Sequence, residues 1–184
     1  MLRILRRSEW EACLISVVVV LILTFGRWPA LGWSAQLNLV VEAELGGHRF
    51  YCLPVSPGEI FQIEFLHSYD RFPFQELYRV EGHNKIRLFK MVFRSMLNGQ
   101  GFVHPGVRIR TDGWGEIDNI ESLNEKVEFI MGARQHANHR LTLRGVEYLL
   151  ADAIEPGTLV VIRVQEAPCS GSVSMERGKF DNAR

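Results

Sequence analysis

The stretch Phe61-Gln62-Ile63-Glu64-Phe65-Leu66-His67-Ser68-Tyr69 decides the fold class. Phe61, Ile63 and Phe65 alternate with Gln62 and Glu64, a period of two that puts the odd-numbered residues on one face of a β-strand. The spacing predicts a strand over 59–69, with His67 and Tyr69 on the apolar face. A second strand, 74–81, carries Phe74, Glu76, Tyr78 and Val80 on a single face. If residues 70–73 form a four-residue loop, Tyr69 pairs with Phe74 and His67 stands opposite Glu76. Directly opposed Cβ atoms lie roughly 4.5–5.5 Å apart, within reach of an imidazole–carboxylate hydrogen bond.

Outward from this hairpin the pattern repeats. Strand-like runs cover 36–44, 48–53 and 85–95, then 107–110, 127–131, 140–143, 147–151 and 158–166. Turn signals separate them: Gly46-Gly47, Ser56-Pro57-Gly58, Arg144-Gly145 and Glu155-Pro156-Gly157. No long apolar stripe of period 3.6 follows residue 35. About nine short strands imply an all-β domain, an antiparallel sandwich or a partly closed barrel. The connection from Ser95 to Lys126 breaks the rhythm. It holds Gly99, Gly101, Gly106 and Gly113-Trp114-Gly115, and a connection of such length is usually functional or disordered. Phe102, Trp114 and Ile117 argue against disorder.

The 184 residues carry 21 Lys+Arg against 21 Asp+Glu, and 47% are apolar, enough for one domain with a core. This balance excludes a disordered tail-like chain and a strongly basic nucleic-acid binder. Residues 1–35 stand apart. Arg3, Arg6 and Arg7 precede the apolar run 12–25, a charged region followed by a hydrophobic one. Two readings compete. Ala30-Leu31-Gly32 offers small residues for signal-peptide cleavage. Trp10 and Trp28 stand 18 positions apart, about 27 Å along a helix, close to the roughly 30 Å of a hydrocarbon core with a Trp at each interface. A single-pass signal anchor is favoured, and both readings export residues 36–184 to the periplasm. The organisation expected is therefore 1–35 as anchor or signal, 36–166 as β domain and 167–184 as polar tail. Residues 36–184 hold 17 basic and 19 acidic side chains, which leaves no basic patch for nucleic acid.

Cys13 opens the apolar run and is poorly placed for lipid attachment. Cys52 and Cys169 would lie in an oxidising compartment, as one bridge or as two free thiols. A bridge closing more than a hundred residues would stabilise by about 4–5 kcal/mol in the chain-entropy model.

Few residues point to chemistry. The His67–Glu76 pair reads as a binding or acid–base pair, or as a polar pair locking the hairpin register. Ser68 beside His67 suggests a nucleophile, but strand neighbours point to opposite faces, and no Gly-x-Ser-x-Gly elbow is present. His136-x-x-His139 is too short a signal for zinc, and His48, His83, His104, His136 and His139 read as solvated loop side chains. Gly99-Gln100-Gly101 lacks the Lys-Ser/Thr of a phosphate loop and reads as a tight turn. No cofactor or metal signature appears.

Phe65-Leu66-His67-Ser68, with Pro73 and Glu76 following, resembles the motif of a small bacterial family, the domain of unknown function numbered eighteen-fifty. The similarity continues through Ser95–Gly101, with Gln100 in place of the family's usual small middle residue, and through 141–149 and 157–164. It covers roughly residues 36–166. Members are typically encoded beside tripartite ATP-independent periplasmic (TRAP) transporters that use a TAXI substrate-binding protein. The resemblance therefore implies an exported, membrane-associated accessory or binding protein of solute uptake, without established catalysis. Its partners would be the TRAP membrane subunit or the TAXI protein. By the same resemblance His67, Ser68, Glu76, Gly99 and Gly101 are motif positions; Trp114 in the long connection joins them as a candidate binding residue. Two alternatives stand beside this reading: a periplasmic hydrolase using His67 with Glu76 or Ser68, and a structural envelope protein.

Overall fold

A computed structural model describes residues 36–94, 106–166 and 168–169. The apolar run 12–25 and the glycines Gly99 and Gly101 lie outside these residues. Among the described residues no helix is long and apolar enough to cross a membrane.

Among the described residues, eleven strands and one helical turn follow in chain order: β1 (Leu37–Ala43), β2 (Arg49–Val55), β3 (Ile60–Leu66), β4 (Pro73–Gly82), β5 (Lys85–Phe93), β6 (Val107–Ile109), β7 (Gly115–Asn124), β8 (Lys126–Ile130), β9 (Arg140–Leu143), β10 (Val146–Leu149), α1 (Leu150–Ala153) and β11 (Leu159–Gln165). They form two antiparallel sheets, ordered β2-β1-β11-β8 and β10-β9-β3-β4-β5-β7-β6. The all-β expectation holds; the partly closed barrel does not. Closure needs hydrogen bonds between edge strands, and among the described residues neither sheet's edge strands pair with each other or with the other sheet. The layers instead share a core. Leu39 and Val41 of β1, with Val160 and Ile162 of β11, pack with Phe61, Ile63, Val80, Ile86 and Leu141 of the larger sheet. Full burial of each such side chain contributes roughly 1.5–3 kcal/mol.

β1 is buried on both faces. On the side away from this core Val40 stands opposite Cys52, which is bonded to Cys169 with Cα atoms 5.7 Å apart. Arg49 also reaches the Pro168 carbonyl, at 3.4 Å, so the chain near its C-terminal end is tied to β2 twice.

Local chemistry explains most turns. Between β9 and β10 Leu143 pairs with Val146, leaving the two-residue turn Arg144-Gly145 with φ of 53° and 74°. Positive φ at both positions is the type I′ pattern, whose twist matches the strands and favours glycine. In β5 the pairing slips between Leu88 and Lys90. Phe89 is the extra residue, so Ile86 and Leu88 face the core before it, and Phe93 faces inward after it.

Two expectations need correction here. β7 occupies the C-terminal third of the 95–126 connection, which was expected to be largely loop. Its alternation is broken at Asn119, which has φ 58°, so Ile117 and Ile120 are three apart and mimic no strand period. The β3–β4 hairpin also differs. Phe65 pairs with Phe74, and Glu76 pairs with Ile63 rather than His67. β3 ends at Leu66, and residues 67–72 form a six-residue turn. The His67 N–H donates to the Phe72 carbonyl and the Arg71 N–H to the His67 carbonyl, both at 2.9 Å. Arg71 takes φ 59°, a conformation an extending strand cannot hold. Tyr69, expected on the inward face, is 81% exposed.

Candidate functional site

β4 builds the floor of the site. Its even residues point between the sheets: Phe74, Tyr78 and Val80 are buried, and Glu76 shares their face. Residues two apart on a strand are neighbours on that face, and the Tyr78 hydroxyl donates to Glu76 Oε2 at 2.7 Å. Burial pushes the Glu76 carboxyl above its ordinary pKa, and the Tyr78 hydrogen bond partly opposes that rise. The Tyr78 hydroxyl is itself pushed far up, first by burial and then by the adjacent carboxylate. It stays protonated and remains a donor.

The four-stranded sheet ends at β8, whereas the seven-stranded sheet continues past β5 to β7 and β6. Where one layer stops short, a cleft of about 390 Å³ opens between Glu76 and Tyr78 of β4 and residues of β8. Ile63, Phe65, Leu88 and Phe129 supply its apolar wall; Ser122, Asn124, Lys126 and Glu128 supply polar lining. The Lys126 ammonium is held by Glu128 at 2.6 Å and by Glu44 at 3.4 Å.

His139 completes the wall. It is only 6% exposed, stacked on Phe129 at 4.7 Å between ring centroids and tilted against Phe65 at 5.5 Å. Burial lowers its pKa from 6.5 to about 4, so the imidazole is neutral at pH 7. The Gly132 N–H donates to its Nδ1 at 3.5 Å, which leaves the ring proton on Nε2. Gly132 is required by close approach, because a Cβ there would collide with the Cβ of Ala137.

Of the described residues proposed from the sequence as site residues, Glu76 alone lines this cleft. His67 Nδ1 lies 3.1 Å from Asp70 Oδ1 within its own turn, and Ser68 is exposed beside it. That turn is bound to the 135–137 segment: Arg71 donates to the Gln135 carbonyl, and the Leu66 N–H to the Ala137 carbonyl at 2.7 Å. Trp114 sits in the β6–β7 turn, where its carbonyl accepts from the Arg110 N–H at 2.7 Å. Tyr78, Phe129 and His139 are the site residues not anticipated. For His139 a signal existed. His139, Leu141 and Leu143 alternate, so the histidine, one residue before β9, continues the strand's inward face rather than facing solvent.

Fold and site together define a two-sheet antiparallel β domain with an acid-floored, partly aromatic cleft between its layers. Residues 61–150 match the family model described as Domain of unknown function (DUF1850). The matched segment runs from β3 to the start of α1 and contains every residue named here as lining the cleft. No curated protein and no solved structure matches the chain.

Proposed function

We propose that this protein is an exported, membrane-associated binding module that serves solute uptake as an accessory of a TAXI-type TRAP transporter. The observation that carries the binding role is the cleft itself. Its volume of about 390 Å³ falls within the range typical of small-ligand sites. Apolar walls surround a few convergent polar groups, the usual composition of such a site. The Cys52–Cys169 bond and the Arg3, Arg6 and Arg7 cluster before the apolar run support export. The link to uptake rests on the family resemblance. The His67–Glu76 pair on which one form of the hydrolase alternative rests is not formed, since His67 stands against Asp70 and Glu76 against Tyr78.

The test is co-purification of the tagged full chain from membranes of cells carrying the transporter, alongside a periplasmic reporter fused after Arg184. Recovery of the TRAP membrane subunit or the TAXI protein, with an active reporter, is the expected result. A reporter active only in the cytoplasm, or recovery of neither subunit after cross-linking, overturns the proposal.

A further inference from the structure

The charges around the cleft are unevenly settled. Elsewhere buried and half-buried carboxylates meet cations: Glu42 meets Arg163 at 3.0 Å, Glu59 meets Arg144 at 2.6 Å, and Glu116 meets Lys90 at 2.8 Å. Glu76 is different. Its described partner is the Tyr78 hydroxyl, a neutral donor. Lys126, which also lines the cleft, is taken up by Glu128 and Glu44. His139 is neutral and adds no positive charge. A carboxylate withdrawn from water without a cation is costly, and a ligand that brings one recovers that cost.

The walls favour the same ligand. Phe65, Tyr78 and Phe129 present aromatic rings to the cavity, and aromatic faces attract cations, most strongly where water is excluded. The hydrogen-bond count agrees. A carboxylate offers about four acceptor positions, of which Tyr78 uses one, and the Tyr78 oxygen can accept while its proton is donated to Glu76. An ammonium brings three donors to these acceptors.

We propose that the cleft takes a small organic cation, a primary ammonium on an apolar body, with the ammonium on Glu76 and Tyr78 and the body against Ile63, Phe65, Leu88 and Phe129. This assignment rests on the cleft being the binding site and adds the chemical class of its ligand. It divides the labour among the lining residues. Glu76 supplies the charge, Tyr78 orients the carboxylate, and His139 seals the wall without repelling the ligand.

Three probes sharing one phenylethyl body test the assignment by calorimetry on the full chain in detergent: 2-phenylethylamine, 2-phenylethanol and 3-phenylpropanoate. The amine should bind at least about tenfold more tightly than the alcohol, the ratio expected for a charge-assisted hydrogen bond. The carboxylate should not bind. Glu76→Gln, which keeps the shape of the side chain, should abolish the preference for the amine while leaving weak binding of the alcohol. The comparison among probes needs no variant, so it stands even if Glu76→Gln fails to fold. Equal or tighter binding of the alcohol or the carboxylate overturns the cationic ligand and leaves the cleft as a binding site. Unchanged amine binding in a folded Glu76→Gln protein does the same. Failure of all three probes overturns both.

Discussion

Replacing His139 with Phe should remove a specific part of the protein's pH dependence. In the folded state burial holds this imidazole neutral down to about pH 4, whereas the unfolded chain takes up the proton near 6.5. Between these values the unfolded state binds more protons, so stability falls as pH falls through the window. At about 1.4 kcal/mol per pH unit, the gap amounts to about 3 kcal/mol, an upper figure for a residue as buried as this one. Glu76 acts with the opposite sign. Its folded carboxyl takes up a proton at higher pH than the unfolded one, so it adds stability as pH falls and partly masks His139. The contribution must therefore be read as a difference. Urea unfolding of the wild type and His139→Phe at pH 7 and pH 4, followed by tryptophan fluorescence, gives the stability gap at each pH. That gap should shift in favour of the variant by about 3 kcal/mol on going to pH 4. A gap that stays constant within about 0.5 kcal/mol would refute the buried, neutral histidine.

Other outcomes can be checked directly. Reduction of Cys52–Cys169, or Cys169→Ser, should lower stability by up to about 4–5 kcal/mol, since the bond closes 117 residues of chain; paired denaturant melts with and without reductant measure it. Gly132→Ala should destabilise by about 1–3 kcal/mol, because the new methyl must displace Ala137, and ring-current shifts of the His139 protons should change with it. For the hairpin register, cysteines placed at Gln62 and Leu77 should oxidise readily to a bridge, while a pair at His67 and Glu76 should not. The reverse result on a non-reducing gel would restore the four-residue loop.

The sequence alone determined the class and the faces. Alternation is a local property, so Phe61, Ile63 and Phe65, or Phe74, Tyr78 and Val80, announce strands and their inward sides without any knowledge of neighbours. That parity also placed Glu76 inward, where it lies. Register was not available from the same signal. A slip of any even number of residues keeps every side chain on its face, so Glu76 opposite Ile63 satisfies the pattern as well as Glu76 opposite His67 does. The choice was made by the 67–72 turn and its bonds to Gln135 and Ala137, partners more than sixty residues away. β7 was hidden because its bulge at Asn119 breaks the period that marks a strand, and only pairing with β5 and β6 defines it. The cleft is tertiary altogether. It exists because a four-stranded layer meets a seven-stranded one, and it is walled by β3, β4, β8 and His139, segments that only packing brings together.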